Sequence, residues 1–182
     1  KWDEAGKNLA DIARRLEDAG AEAMVICTNT MHKLSGYVED ATAIPLLHIV
    51  DATRNAILAS EAQNCLLLAT RYTMVQDFYK GPLADKIAAD NRKLYIPSEA
   101  GCEIVHQIIY EELCRGIIRP ESRKAYLDII DQAVNEFGAD GVILGCTEIG
   151  MLIGTQDTQL TIFDTTSLHC KAAVDFICAD VT

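Results

Sequence analysis

Apolar positions recur along this chain with two different periods, and the alternation between them predicts its elements. Leu9, Ile12, Ala13 and Leu16 fall at helical spacing within residues 4–19, and Gly20 stands where a helix C-cap belongs. The next run, AMVI (23–26), is short and continuously apolar, the pattern of a strand buried on both faces of a parallel sheet. Further strands are predicted at 45–50, 65–69, 93–96, 141–145 and 160–163. Helices are predicted at 52–62, 74–89, 99–115, 121–136 and 166–178, with Ser98 and Pro120 as start signals. Strands alternating with helices imply an α/β fold with open parallel sheets.

An internal repeat refines this picture. GAEAMVI-CTNT (20–30) matches GADGVILGCTEI (138–149), with one extra residue before the second cysteine. Each copy follows an amphipathic helix and precedes a second apolar run leading to an acid, Asp51 or Asp164. A Cys-Thr pair at both strand ends points to duplication, hence to two similar lobes. Residues 1–62 are expected to form part of a first lobe and 63–163 a second. The remainder, 164–182, reads as a C-terminal helix packing back on the first.

Composition narrows the partners. Sixteen Lys and Arg stand against 27 Asp and Glu, giving a formal charge of −11 among 182 residues, of which 49% are hydrophobic. No cation excess exists to displace counterions, which argues against nucleic acid. No apolar run approaches the roughly 18 residues of a membrane span, and KWDEAGKNLA at the start has no signal-peptide pattern. A cytoplasmic location is expected. Seven cysteines without a tight framework read as mostly reduced thiols. Cys65, Cys102, Cys114, Cys170 and Cys178 lie in strand or helix patterns and read as small buried hydrophobes.

Cys27 and Cys146 differ because both sit at polar strand ends, where ligands bind in open parallel sheets. Two facing lobes would bring these thiols to opposite sides of one small ligand. That arrangement suits two-base proton transfer at a tetrahedral carbon: a thiolate removes a proton from one face while a thiol delivers one to the other. A phosphate-binding Cys-x5-Arg loop is disfavoured because position 33 is Lys and cradle glycines are missing. Zinc ligation by Cys27 and His32 lacks a second Cys/His pair.

The segments CTNTMH (27–32), LLATRYT (67–73) and GCTEIG (145–150) together resemble the aspartate/glutamate racemase family, in its bacterial amino-acid racemase branch. The resemblance runs along essentially the whole chain. It implies two α/β lobes and a racemase for aspartate, glutamate or a similar polar amino acid that uses neither pyridoxal phosphate nor metal. Cys27 and Cys146 would be its acid/base pair, and a homodimer its assembly. Asn29, Thr30 and Thr147 fall on substrate-contacting positions, with Thr28 and Glu148 beside them; Thr70 and Thr73 fall on the loop opening the second lobe. The sequence departs from the pattern at Glu148, where relatives acting on glutamate for cell-wall synthesis commonly carry His. It also lacks the family's glycine-rich loop. Fewer residues precede Cys27 than separate Cys65 from Cys146, and the first residue is Lys1. A truncated first lobe is therefore expected, with exposed apolar surface beside 23–26. Alternative readings are a hydantoin racemase, a maleate isomerase, a decarboxylase, or a non-catalytic small-acid binding module.

Other polar residues read more plainly. His32 is expected to support its loop and His48 to lie in a strand, while His106 and His169 show no evident partner. Asp51 and Asp164 read as helix N-caps. Arg71 is either the cation that reads a substrate carboxylate or a surface residue.

Overall fold

Two runs with no polar interruption build the centre of the molecule: CLLL within β1 (Asn64–Leu68) and GVIL in β3 (Gly141–Leu144), both buried. They pair in parallel, Cys65 opposite Gly141 and Leu68 opposite Leu144. β2 (Lys93–Tyr95) flanks β1 and β4 (Thr161–Asp164) flanks β3, giving an all-parallel order β2-β1-β3-β4. The computed structural model describes residues 1–179; the last three residues of the expected C-terminal segment lie outside the described residues.

The helices follow from their caps and apolar stripes. α1 (Trp2–Asp18) ends where Gly20, at φ +94, donates to Glu17 and Ala21 donates to Leu16. This paired closure is why the glycine belongs there. α6 (Glu99–Glu111) starts at Ser98, whose Oγ accepts the Gly101 N–H at 3.2 Å. α7 (Pro120–Phe137) begins on its proline and ends at Gly138, in the left-handed region at φ +64. α8 (Thr165–Ala179) starts at Asp164, whose carboxylate accepts the Thr166 N–H at 3.0 Å and the Ser167 hydroxyl at 2.8 Å. The N-cap reading of Asp164 therefore holds.

Four expectations need correction. The runs 23–26 and 45–50 do not form full strands; they meet in a single parallel bridge, Met24 with Leu46. Ile49 and Val50 instead open α3 (Ile49–Leu58), because the His48 ring accepts the Val50 N–H at 3.2 Å and caps the helix. Asp51 lies inside the first turn of α3, bonded to Lys86, and is not its cap. The helix expected at 74–89 is two helices, α4 (Arg71–Val75) and α5 (Asp77–Ala88), separated by extended backbone at Gln76 (ψ 152°). Residues 30–39, assigned no element from sequence, form a 3₁₀ turn (Thr30–Leu34) and α2 (Ser35–Glu39).

The sheet and its helices share one apolar core, while Ala13, Met24 and Val38 form a smaller cluster with Leu9, Ile26, Ile44 and Leu46. α8 packs on α3. An aromatic contact joins α1 to α4: the rings of Trp2 and Tyr72 stack at 5.6 Å. Lys33 lies over them, Nζ 5.3 Å and 5.1 Å from their centroids, and donates to the Tyr72 hydroxyl at 3.0 Å.

Candidate active site

The polar residues collected at the carboxyl ends of β1 and β3 meet the loop 27–30 there, which places the candidate site. A close approach prepares the end of β3. A Cβ on Gly145 would lie 2.8 Å from Leu67 Cδ1 and 3.0 Å from Ala69 Cβ, so only glycine lets the chain turn against β1 and present Cys146. On the opposite side, His32 fixes the loop carrying Cys27. It is 3% exposed, its Nδ1 bonds the Thr28 carbonyl at 2.7 Å, and its Nε2 accepts the Ile49 N–H at 3.2 Å. The Nε2 contact defines the tautomer: Nδ1 carries the proton. Burial, then the neighbouring His48, holds this imidazole down to about 3, so it stays neutral. Loop support is thus its role.

Two adjoining cavities open between these ends. The first, about 170 Å³, is walled by Asn29, Thr30, Thr70, Cys146 and Glu148 on the strand-end side and by Ile109, Tyr110 and Cys114 on the other. The second, about 120 Å³, contains Cys27, with Val25, His169 and Cys170. Thr28 and Thr147 line both. Each volume is below the ~300 Å³ at which drug-sized pockets begin, so a small metabolite is the matching ligand.

The thiols differ in surroundings. Cys27 is exposed, whereas Cys146 is partly buried and donates to Glu148 Oε2 at 3.0 Å. The Thr147 hydroxyl donates to the same oxygen at 2.6 Å. Burial, then the hydrogen bond to a carboxylate, pushes the Cys146 thiol up to about 12. Desolvation works to raise the Glu148 pKa, but the hydrogen bonds from Cys146 and Thr147 together outweigh it and hold it below the usual glutamate value.

The remaining predicted site residues separate into lining and support. Asn29 is 3% exposed; its Nδ2 donates to Thr165 Oγ1 at 3.0 Å, while Oδ1 has no partner among the described residues. Thr73 does not line the cavity. It lies buried behind it, 3.3 Å from the Thr30 hydroxyl and 3.1 Å from that of Thr70. Arg71 is half exposed and paired outward with Glu99 (3.6 Å) and Glu103 (3.9 Å), which makes it a surface residue. Among the described residues, no group of three or more His, Cys, Asp or Glu is placed to hold a metal ion.

Sequence reasoning missed the far wall. Cys114, expected to be buried, is exposed and shares the cavity with Cys146; Cys170 and Cys178 are likewise exposed, while Cys65 and Cys102 are buried. The reason is local: α6 stops at Glu111, and the 3₁₀ turn Leu113–Arg115, closed by Gly116 at φ +72, turns Leu113 inward and Cys114 outward. Gly116 as a C-terminal signal could have marked this turn. Two histidines without evident partners have them: His169 Nε2 bonds the Leu47 carbonyl at 2.6 Å, and His106 Nδ1 accepts the Arg71 N–H at 3.4 Å.

Comparison with known proteins places this geometry. The sequence profile described as Asp/Glu/Hydantoin racemase matches residues 1–173. The broad specificity amino-acid racemase RacX of Bacillus subtilis is 24% identical over 175 residues, 94% of this chain and 72% of RacX. The crystal structure of a candidate Asp/Glu racemase from Yersinia pestis is 44% identical with a TM-score of 0.87, covering 96% of this chain and 74% of that one. PH1733, an aspartate racemase homologue from Pyrococcus horikoshii OT3, is 31% identical with a TM-score of 0.87, covering 97% and 75%.

Proposed function

Because the chain belongs to the Asp/Glu/Hydantoin racemase family, a family of isomerases, we propose that it inverts the Cα centre of a small polar amino acid by proton exchange between Cys27 and Cys146. One observation carries this reading: the two thiols line adjoining cavities that share Thr28 and Thr147. A ligand held at those residues would have a sulfur on either side.

The chemistry follows from the asymmetry of the two thiols. Cys146 is the proton donor of the resting enzyme, since a thiol with a pKa near 12 is ionised at only about one part in 10⁵ at neutral pH. Exposed Cys27, as thiolate, takes the Cα proton: the Cα–H bond breaks and an S–H bond forms. Cys146 then delivers its proton to the opposite face, which completes the inversion. Asn29 Oδ1, a buried acceptor without a partner among the described residues, suits the substrate ammonium. The Thr28 hydroxyl would donate to the α-carboxylate. In this reading residues 20–30 and 138–149 are equivalent halves of a duplicated unit, and the enzyme works without pyridoxal phosphate or metal as a cytoplasmic homodimer.

The test is incubation with single L-amino acids in heavy water under reducing conditions, following Cα deuterium and the D-isomer. Both are expected. Cys27→Ala and Cys146→Ala should each lower the rate by about 10²–10⁴-fold. Normal turnover in either variant would refute the two-base assignment. Products other than the mirror-image amino acid would point instead to a hydantoin racemase, a maleate isomerase or a decarboxylase. Ligand binding without any exchange would leave a non-catalytic acid-binding module.

A further inference from the structure

A second thiol shares the cavity of the proposed proton donor. Cys146, just past the end of β3, and Cys114, on the 3₁₀ turn Leu113–Arg115, both line the space of about 170 Å³. The two thiols lie within electrostatic reach of each other and of one carboxylate. Burial and the Glu148 contact raise the Cys146 thiol, with Cys114 adding to them, and burial, then Glu148, raises the Cys114 thiol. The turn that carries Cys114 is a short 3₁₀ segment closed by Gly116 at φ +72, and residues 114–120 are exposed. Such a turn has poorer hydrogen-bond geometry than an α-helix and yields more readily than the buried strand end it faces.

Two thiols held on one small cavity have a high effective concentration for each other, so a mixed disulfide formed at one is resolved by the other. Resting on the racemase reading above for its effect on turnover, we propose that Cys114 and Cys146 form a reversible disulfide when the protein meets a low-molecular-weight disulfide, and that this bond locks the active site. The Cys114 thiolate attacks one sulfur of the reagent RSSR: a Cys114–S–S–R bond forms, the reagent's own S–S bond breaks and RS⁻ leaves. Cys146 then gives up its proton and attacks the Cys114 sulfur, so the protein disulfide forms and a second RS⁻ departs. The two protein thiols lose two electrons and two protons, and RSSR gains them as two RSH. Cys146 then has no proton to deliver to Cα, and the turn is drawn across the space a substrate would occupy.

Lipoic acid in large excess is the probe. Its mixed disulfide with a thiol that has no reachable partner recloses its own ring and reverts, whereas a protein pair stays oxidised. The reduced full chain is treated, alkylated and mapped by non-reducing peptide mass spectrometry, beside the Cα exchange assay. Expected are a Cys114–Cys146 cross-linked peptide, loss of exchange by more than about tenfold, and recovery with dithiothreitol. Because a thiolate is the attacking species, locking should accelerate by up to about tenfold per pH unit from about pH 7 to about pH 9. Cys114→Ser should retain turnover and resist the treatment. Absence of the cross-link from the unaltered protein at every excess would overturn the pairing, and equal inactivation of Cys114→Ser would overturn the part given to Cys114. A cross-link with undiminished exchange would overturn the lock. A cross-link in a protein that exchanges no amino acid, oxidised or reduced, would refute the racemase reading and keep the disulfide site.

Discussion

At the scale of single residues, protonation states connect the fold to the site. His32 donates to the Thr28 carbonyl and accepts from Ile49, so the loop bearing Cys27 depends on a neutral ring. Its folded pKa is depressed to about 3 against an unfolded value near 6.5. The contribution is therefore complete above about pH 6.5 and is lost as pH falls towards 3, where the unfolded chain takes up a proton that the folded one refuses. Denaturant unfolding should show stability falling by up to about 1.4 kcal/mol per pH unit across that window. His32→Gln should flatten the slope. Cys146 provides a second prediction at this scale. With its thiol near 12, it should react with iodoacetamide at pH 8 more than about tenfold slower than exposed Cys27, as read by peptide mass spectrometry. Glu148→Gln should accelerate Cys146, because the carboxylate's share of the upward push disappears.

At the scale of elements, the close approach at Gly145 and the turn at Gly138 separate two kinds of glycine requirement. Gly145→Ala places a methyl 2.8 Å from Leu67 Cδ1 and should cost about 1–3 kcal/mol by overpacking, with Cys146 displaced. Gly138→Ala meets nothing within 4 Å and is strained only by its φ of +64, so about 1 kcal/mol is expected without loss of activity. Chemical denaturation and the exchange assay on the two variants test the contrast. Arg92 ties α3 to the sheet by donating to the carbonyls of Ile57, Leu58, Ser60 and Ala62. Arg92→Met should destabilise the protein by about 1.5–3 kcal/mol in the same measurement.

Elements were legible in the sequence where period and length agreed. The stripes of α1 and α7 and the apolar runs of β1 and β3 allowed one assignment each. PLLHIV did not, since a short apolar run suits either a strand or a helix start. It was resolved by a histidine acting as N-cap, a role usually filled by Ser, Thr, Asp or Asn. The candidate site divides similarly. Cys27, Thr28, Cys146 and Glu148 were readable because polar residues at strand ends stand out, whereas Ile109, Tyr110 and Cys114 were hidden in an apolar helical pattern whose last turn changes geometry.

At the scale of the whole molecule, an acidic surface and scattered exposed ion pairs set the response to salt. The formal charge of −11 repels itself, and pairs such as Lys7 with Asp3 and Lys124 with Asp128 are solvent-exposed and contribute little each. Raising NaCl from about 0.02 to about 0.2 M shortens the Debye length from roughly 20 Å to below 10 Å and should raise Tm by a few degrees, measurable by calorimetry. No helix of the described residues is long and apolar enough to cross a membrane.

The stack of Trp2 on Tyr72 has an optical consequence. Trp2 is the single tryptophan of the sequence, and its indole lies against a phenol and beneath an ammonium group. Selective excitation therefore reports one place in the molecule, the seam between α1 and α4, and α4 also carries Thr73 behind the cavity. Separation of the two helices would hydrate the indole and move its emission to the red, so ligand-induced tightening of the site can be followed through the protein's own fluorescence, with no label attached.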